Sequence, residues 1–124
     1  MERRVVITGL GVVSPVGTGV EKFWNSLLEG KSGIAPITRF DAADFPVKIA
    51  GEVKDFDPAL AGDKKTIRHM DRNAQFAVAA ARMAVEDAKL DMSVEDPDRV
   101  GTIIGTGIGG INTINIIVQI QLGI

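Results

Sequence analysis

The order of the predicted elements indicates an α/β fold with at least some parallel strand pairing. Three observations support this prediction: an apolar β-branched run at residues 5–7, an alanine-rich segment of helical periodicity at 71–90, and a second apolar run at 99–104. Runs of this kind, separated by helices, are typical of strands in one sheet. Together with a weaker strand at 47–53 they do not complete a sheet, so the sequence predicts part of an α/β unit.

The most distinctive string is V-V-I-T-G-L-G-V-V-S-P at residues 5–15. Its first apolar run stops at Thr8-Gly9, and its second stops at Ser14-Pro15. We expect a buried strand that opens into a glycine turn, at a place where another part of the molecule needs a close backbone approach.

The first helix is predicted from its two ends and from its apolar stripe. Thr18 and Glu21 fit a capping box, and Gly30 stands where a left-handed C-cap is expected. The residues between them place one apolar face on the helix. That face consists of Val20, Phe23, Trp24, Leu27 and Leu28.

Shorter elements are predicted in the middle of the chain. Residues 31–46 indicate an irregular connection, and residues 47–53 a short strand. The pair Asp57-Pro58 is typical of an N-cap followed by proline at the first helical position. Residues 62–70 predict a helical turn.

Asp71 is predicted to cap a long helix that runs to about residue 90. Its many alanines would let neighbouring backbones approach closely. A turn at Asp96-Pro97-Asp98 then leads into the strand at 99–104, which ends in G-T-G-I-G-G at 105–110.

Composition excludes several classes of function. The net charge of -2 argues against bulk binding to nucleic acid or to an anionic membrane surface. The absence of cysteine excludes a disulfide framework, a thiolate metal site and a cysteine nucleophile within the 124 residues, and it favours a cytoplasmic protein. Glycines and a proline interrupt the apolar opening, so it does not predict a signal peptide. We expect no catalytic residue, no cofactor and no metal in this chain.

Gly105, Gly107 and Gly110 match the spacing of a dinucleotide-binding turn after a strand. That motif also needs an acidic residue about 20 positions later for the ribose, and no Asp or Glu follows Asp98. The glycines therefore fit a tight turn beside packed elements as well as they fit any specific ligand.

A basic segment at residues 63–72 stands out in a slightly acidic chain. If it is helical, Lys64, Lys65 and Arg68 lie close together, because positions four apart are neighbours on a helix. Such a cluster is either a solvated helix face or a docking surface for an acidic partner. His69, the only histidine, is interpreted as a surface or docking residue.

Four strings, taken in order, resemble the β-ketoacyl-acyl-carrier-protein synthases of type II, condensing enzymes with a thiolase-like fold. The strings are R-R-V-V-I-T-G-L-G-V-V-S-P-V-G, F-W-N-S-L-L-E-G-K-S-G-I, R-H-M-D-R and I-I-G-T-G-I-G-G-I. The resemblance covers residues 3–111 and implies an incomplete N-terminal portion of the first βαβαβ half of that fold.

The resemblance implies a decarboxylating Claisen condensation in fatty-acid biosynthesis, which in this family uses a cysteine nucleophile and two histidines. None of these side chains can be assigned in this chain. It also implies that Lys64, Lys65 and Arg68 dock an acidic acyl carrier protein, and that the full-length family protein is a homodimer. Ile108 would gate the acyl pocket; the alternative is that Ile108 is a core residue.

The resemblance weakens after Ile111, where the family usually continues with a charged helical stretch. Residues 112–124 are uncharged and rich in Ile, Asn and Gln, with partial alternation typical of a strand and of an aggregation-prone segment. We therefore divide the chain into an N-terminal ketoacyl-synthase portion, 1–111, and a divergent tail, 112–124. An out-of-frame tail, a truncated product and genuine divergence are all compatible with this change.

The leading interpretation is an N-terminal fragment of a 3-oxoacyl-acyl-carrier-protein synthase that is inactive alone. One alternative is a non-catalytic partner subunit like the chain-length factors of polyketide systems, which keeps the fold without the chemistry. The other is a small nucleotide-binding module, which NAD or ATP titration would test.

Overall fold

The computed structural model describes residues 3–122, which contain four α-helices and two small antiparallel sheets. Strand β1 pairs with β2, and β3 pairs with β4. No parallel pairing occurs within residues 3–122. The elements are β1 (Val13–Ser14), β2 (Gly17–Thr18), α1 (Val20–Leu28), β3 (Ile34–Pro36), β4 (Ile49–Gly51), a 3₁₀ turn (Pro58–Leu60), α2 (Lys64–Ile67), α3 (Arg72–Asp87), a second 3₁₀ turn (Pro97–Arg99) and α4 (Ile111–Leu122).

The two strongest strand predictions, at residues 5–7 and 99–104, are wrong for this structure. Neither stretch pairs with another strand, and Val5 and Ile103 are 93% and 97% exposed. A strand exists only when a neighbour accepts and donates its backbone hydrogen bonds, and these segments find no such neighbour among residues 3–122. Their sequences encode the apolar faces of a buried strand, but the described residues do not bury them.

Helix α1 follows the prediction at its end and departs from it at its start. Gly19, not Thr18, is the N-cap, and no side chain caps the helix, so the predicted capping box is absent. At the other end Gly30 is left-handed (φ 68°), and its N–H donates to the Leu27 carbonyl. The next N–H, that of Lys31, donates to Ser26, which completes a Schellman motif.

After α1 the chain forms a hairpin of β3 and β4. Strand β4 confirms the strand predicted within residues 47–53, whereas β3 lies in a segment predicted to be irregular. The Glu52 carboxylate closes this hairpin by accepting from the Thr38 N–H (3.0 Å), the Thr38 hydroxyl (2.6 Å) and the Arg39 N–H (3.1 Å). These bonds favour the ionised form and lower the pKa of Glu52.

The small core lies against the first half of α3 and consists of Phe56, Ala61 and Ala79. Phe56 meets Phe76 edge to face, with ring centroids 4.8 Å apart. The Arg72 guanidinium lies 4.9 Å from the Phe76 centroid and donates to the Val53 carbonyl at 2.7 Å. Because α3 supplies Arg72, Phe76 and Ala79, these contacts fix the segment at 53–61 to that helix.

The N-terminal segment crosses the alanine face of α3 at two glycines. A Cβ on Gly9 would lie 2.6 Å from the Ala88 nitrogen, and one on Gly11 would lie 2.9 Å from the Ala84 nitrogen. The Leu10 N–H donates to Asp87 Oδ2 at 2.9 Å between them. The predicted close backbone approach is therefore present, and its partner is the backbone of α3.

The tail is helical rather than a strand. Helix α4 spans Ile111–Leu122, and residues 123 and 124 of the predicted tail lie outside the described residues. A segment without a sheet edge to join can satisfy its backbone groups internally only as a helix. All of α4 is exposed, which is unusual for a helix that carries no charge.

The accessible surface is large for a chain of this mass. It measures 10209 Å², whereas a folded monomer of 13.2 kDa is expected to show about 6,400 Å². Large apolar side chains are exposed at residues 5–7, at 103–104 and along α4. Within residues 3–122, no helix is both long and apolar enough to cross a membrane.

We expect the 124-residue chain alone to melt without a sharp cooperative transition, because its core is small and its strand-like segments are unpaired. Differential scanning calorimetry, with a hydrophobic dye as a second probe, measures this. A narrow calorimetric peak, with no dye binding before it, would contradict the prediction.

Gly11→Ala is expected to detach the N-terminal segment from α3, because its new methyl group would overlap the α3 backbone. Overpacking of this kind costs about 1–3 kcal/mol. Hydrogen exchange at the Leu10 N–H measures the loss as faster exchange. Gly101→Ala is the matched control, since a Cβ there meets nothing within 4 Å; equal effects of the two substitutions would refute the contact.

Candidate functional site

The glycine-rich loop at residues 105–110 is fastened to the N-terminal end of α3. The Gly110 N–H donates to Asn73 Oδ1 (3.3 Å), and the Thr113 hydroxyl donates to Asp71 Oδ1 (2.7 Å). Asp71 stands at the N-cap position of α3 but forms no side-chain cap there. The predicted capping role is therefore corrected: its carboxylate holds the start of α4 instead.

Only the end of the glycine loop is spatially constrained. A Cβ on Gly109 would lie 2.6 Å from Asn73 Nδ2, and Gly110 is left-handed (φ 72°), whereas Gly105 and Gly107 face open space. The Asp71 carboxylate lies beside Gly110, at the N-terminus of α4. A pyrophosphate placed there would meet a negative charge, which argues against the dinucleotide interpretation.

Ile108 lies on this loop with 76% of its surface exposed. It belongs to no buried cluster of the described residues, so its interpretation as a core residue is wrong for this structure. The loop is held at its end by Asp71 and Asn73 rather than by packing of Ile108. Its predicted role as a gate of the acyl pocket stays a prediction.

Helix α2 presents the predicted basic cluster. Asp63 caps it by accepting from the Thr66 N–H at 2.7 Å, and this bond, with others from the same turn, lowers the pKa of Asp63. Lys64, Lys65 and Arg68 are all exposed. In the part of the chain that the structure describes, none of the three forms an ion pair.

The basic cluster and the glycine loop approach the same end of α3. From α2 the chain passes through His69, which is exposed and whose N–H donates to the Thr66 carbonyl, and reaches Asp71 two residues later. Asp71 then bonds to Thr113, just beyond the loop. One residue thus links the two predicted site regions.

A largely apolar cleft of about 860 Å³ lies between the N-terminal segment, α3 and residues 103–106. Sequence reasoning did not identify it, although the glycines at 9 and 11 and the alanine stripe of α3 were its signals. Neither Ile108 nor the basic cluster lines it. Helix α3 forms one wall, residues 11–13 and 103–106 form the others, and the predicted strand at residues 5–7 does not line the cleft. Across residues 3–122, no group of three or more His, Asp or Glu side chains gathers as a metal site would require.

Comparison with known proteins gives a consistent result. The family model described as "Beta-ketoacyl synthase, N-terminal domain" matches residues 2–120. A 3-oxoacyl-[acyl-carrier-protein] synthase 2 of Coxiella burnetii is 59% identical over 109 residues, which is 88% of this chain and 26% of that protein. The protein of the same name from Synechocystis is 47% identical over 113 residues, or 91% of this chain and 27% of that protein.

A solved structure agrees in fold. The structure titled "The ishigamide ketosynthase/chain length factor" superposes with a TM-score of 0.78 at 41% identity, covering 99% of this chain and 31% of that one. The chain thus spans about a quarter of the length of the curated relatives it matches. The fold is that of the N-terminal portion of a thiolase-like ketosynthase, which confirms the predicted fold class. By this match over residues 2–120, the chain belongs to the β-ketoacyl synthase family and corresponds to its N-terminal domain.

Proposed function

We propose that this chain serves as the N-terminal part of a 3-oxoacyl-acyl-carrier-protein synthase of fatty-acid biosynthesis. The observation that carries the proposal is the 59% identity, over 88% of the chain, to a protein named for that activity. The exposed, unpaired basic cluster on α2 supports it as well, because it suits an acidic carrier protein.

In this proposal the chain recognises substrate and does not react with it. An acyl group moves from the carrier thioester to a cysteine thiolate, which releases the carrier thiol. Malonyl-carrier protein then loses carbon dioxide, and its carbanion attacks the acyl-enzyme and expels the cysteine. The 124 residues contain no cysteine and one histidine, so in this proposal the nucleophile and at least one histidine of the pair come from outside them.

Charge and exposure support docking through α2. Lys64, Lys65 and Arg68 are free of ion pairs within residues 3–122, so their charges are available to an approaching acidic surface. Charge pairing at an exposed rim speeds encounter and sets orientation more than it adds affinity. That is the behaviour needed of a partner that must leave after each transfer.

Ile108 is proposed as the residue of this chain that contacts the acyl group. Its exposure on a glycine-rich loop leaves its apolar side chain free to contact a ligand rather than the chain's own core. In the described residues the loop is fastened only near Gly110. The side chain can therefore change position without moving α3.

The proposal further includes a homodimer in the full-length family protein, a cytoplasmic location, the division at residue 111, and the absence of a cofactor. The chain-length-factor alternative shares the fold. The residue at the nucleophile position distinguishes the two, because a condensing enzyme requires a cysteine there.

Reversal of two charges, Lys65→Glu with Arg68→Glu, is expected to weaken binding of acyl carrier protein by about tenfold at low salt, because attraction becomes repulsion. The difference should shrink at high salt, where screening shortens the reach of each charge. Titration of the chain with acyl carrier protein at two ionic strengths measures this.

The matched control is Arg39→Glu with Lys48→Glu, which changes the net charge equally at two other exposed positions. In an intact condensing enzyme that contains these residues, the α2 variant should reduce turnover of carrier-bound substrates and spare small thioesters. Equal losses on both substrates, or equal effects of the two double variants on carrier binding, would sink the docking assignment.

Acid is expected to release the cap of α2. The folded pKa of Asp63 lies below its usual value of 3.8, so the cap is fully present above that value and is lost as the pH falls through the lowered pKa. The Thr66 amide proton shift, followed by NMR, should titrate with a midpoint below 3.8. Asp63→Asn keeps an uncharged cap and should abolish the titration; a midpoint at or above 3.8 in the unsubstituted chain would contradict the bond.

A further inference from the structure

The start of α4 is tied to α3 across a long separation in sequence. Thr113 and Asp71 are 42 positions apart, and their side chains meet at 2.7 Å. Gly110 and Asn73 are 37 positions apart and meet through an N–H to amide oxygen bond of 3.3 Å. These two bonds are defined here as the α3–α4 clamp.

The clamp replaces a local interaction that Asp71 would normally make. An aspartate at an N-cap usually accepts from the N–H groups of its own helix. Asp71 makes no such bond and accepts from the Thr113 hydroxyl instead. A charged acceptor gives the stronger kind of hydrogen bond, so the carboxylate stabilises the loop end more than a neutral side chain would.

The clamp leaves the rest of the loop free. Gly105 and Gly107 face open space, and Ile108 is exposed, while Gly109 and Gly110 lie against Asn73 and Asp71. The position of Ile108 therefore depends on where the clamp holds the following two residues. Because Ile108 is exposed, packing of its own side chain does little to fix its position.

We propose that Asp71 and Asn73 are positioning residues, which set the location of Ile108 by clamping the loop end at Gly110 and Thr113. This rests on the proposed function only in taking Ile108 as the residue that meets the acyl group. The clamp itself is a property of this chain and can be measured without a condensing assay. Neither residue contacts a reacting atom in this assignment.

Thr113→Val tests the clamp from the α4 side, so α3 and its N-terminus stay unaltered. Valine matches threonine in shape and in helix propensity but cannot donate to Asp71. Hydrogen exchange at the Gly110 and Ile114 amides, both bonded in the structure, should become about three- to tenfold faster. The Ile108 methyl resonance should shift at the same time.

Two further variants separate positioning from general stability. Thr113→Ser keeps the hydroxyl and should restore both the exchange rates and the Ile108 methyl shift. Thr106→Val removes a hydroxyl from the same loop that donates no hydrogen bond in the structure, and it should leave exchange at Gly110 unchanged. Asn73→Ala should repeat the effect of Thr113→Val at the Gly110 amide.

Two results would overturn the proposal. Unchanged exchange in Thr113→Val would show that the bond does not hold the loop. Faster exchange with an unmoved Ile108 methyl would show a clamp that stabilises α4 and positions nothing. If the α2 charge reversal leaves carrier binding unchanged, the docking assignment fails while the clamp result stands, so the two failures are distinguishable.

Discussion

The close contact between the N-terminal segment and α3 is the constraint on which the rest of the structure depends. Gly9 and Gly11 let the backbone of this segment lie directly on the helix. The small side chains of Ala84 and Ala88 allow this close approach from the α3 side. Helix α3 in turn supplies the core residue Ala79 and Phe76, which packs against the core, and it holds the end of the loop at 105–110. Every described region that bears on the proposed function is attached to this one helix.

This arrangement explains why the site is built at one end of α3. The basic cluster precedes Asp71 in the chain, and the glycine loop returns to Asp71 and Asn73 from far along it. A helix is stiff along its axis, so groups fastened to one end keep a common frame of reference. Toward the other end of α3, the N-terminal segment lies against the helix backbone at Ala84 and Ala88.

Elements defined within a few residues could be predicted, and elements that need a distant partner could not. Gly30 ends α1 as expected, and Asp57 caps the 3₁₀ turn at Pro58–Leu60 by accepting from the Ala59 N–H at 2.9 Å. Both depend only on adjacent backbone. Residues 5–7 and 99–104 carry strand-like sequences, but hydrogen-bonding neighbours decide whether a strand forms.

The same distinction applies to the candidate site. Lys64, Lys65 and Arg68 could be placed together from helical spacing, and they are exposed on α2 as predicted. The actual partner of Asp71 could not be foreseen, because a threonine 42 positions away has no sequence signal that selects it. The sequence pattern favoured Asp71 as an N-cap of α3, but its carboxylate accepts from Thr113 instead.

Arg72 differs from the other cations of the basic segment because the fold holds its side chain in place. Its guanidinium lies against two phenylalanine rings and donates to the Val53 carbonyl, so its rotamer freedom is already lost when the chain folds. The side chains on α2 keep that freedom until a partner arrives. A partner that binds the α2 cations must therefore bear the loss of their side-chain entropy. At Arg72 that entropy is already lost when the chain folds. A lysine at position 72 would keep the charge and lose the planar group that makes this possible.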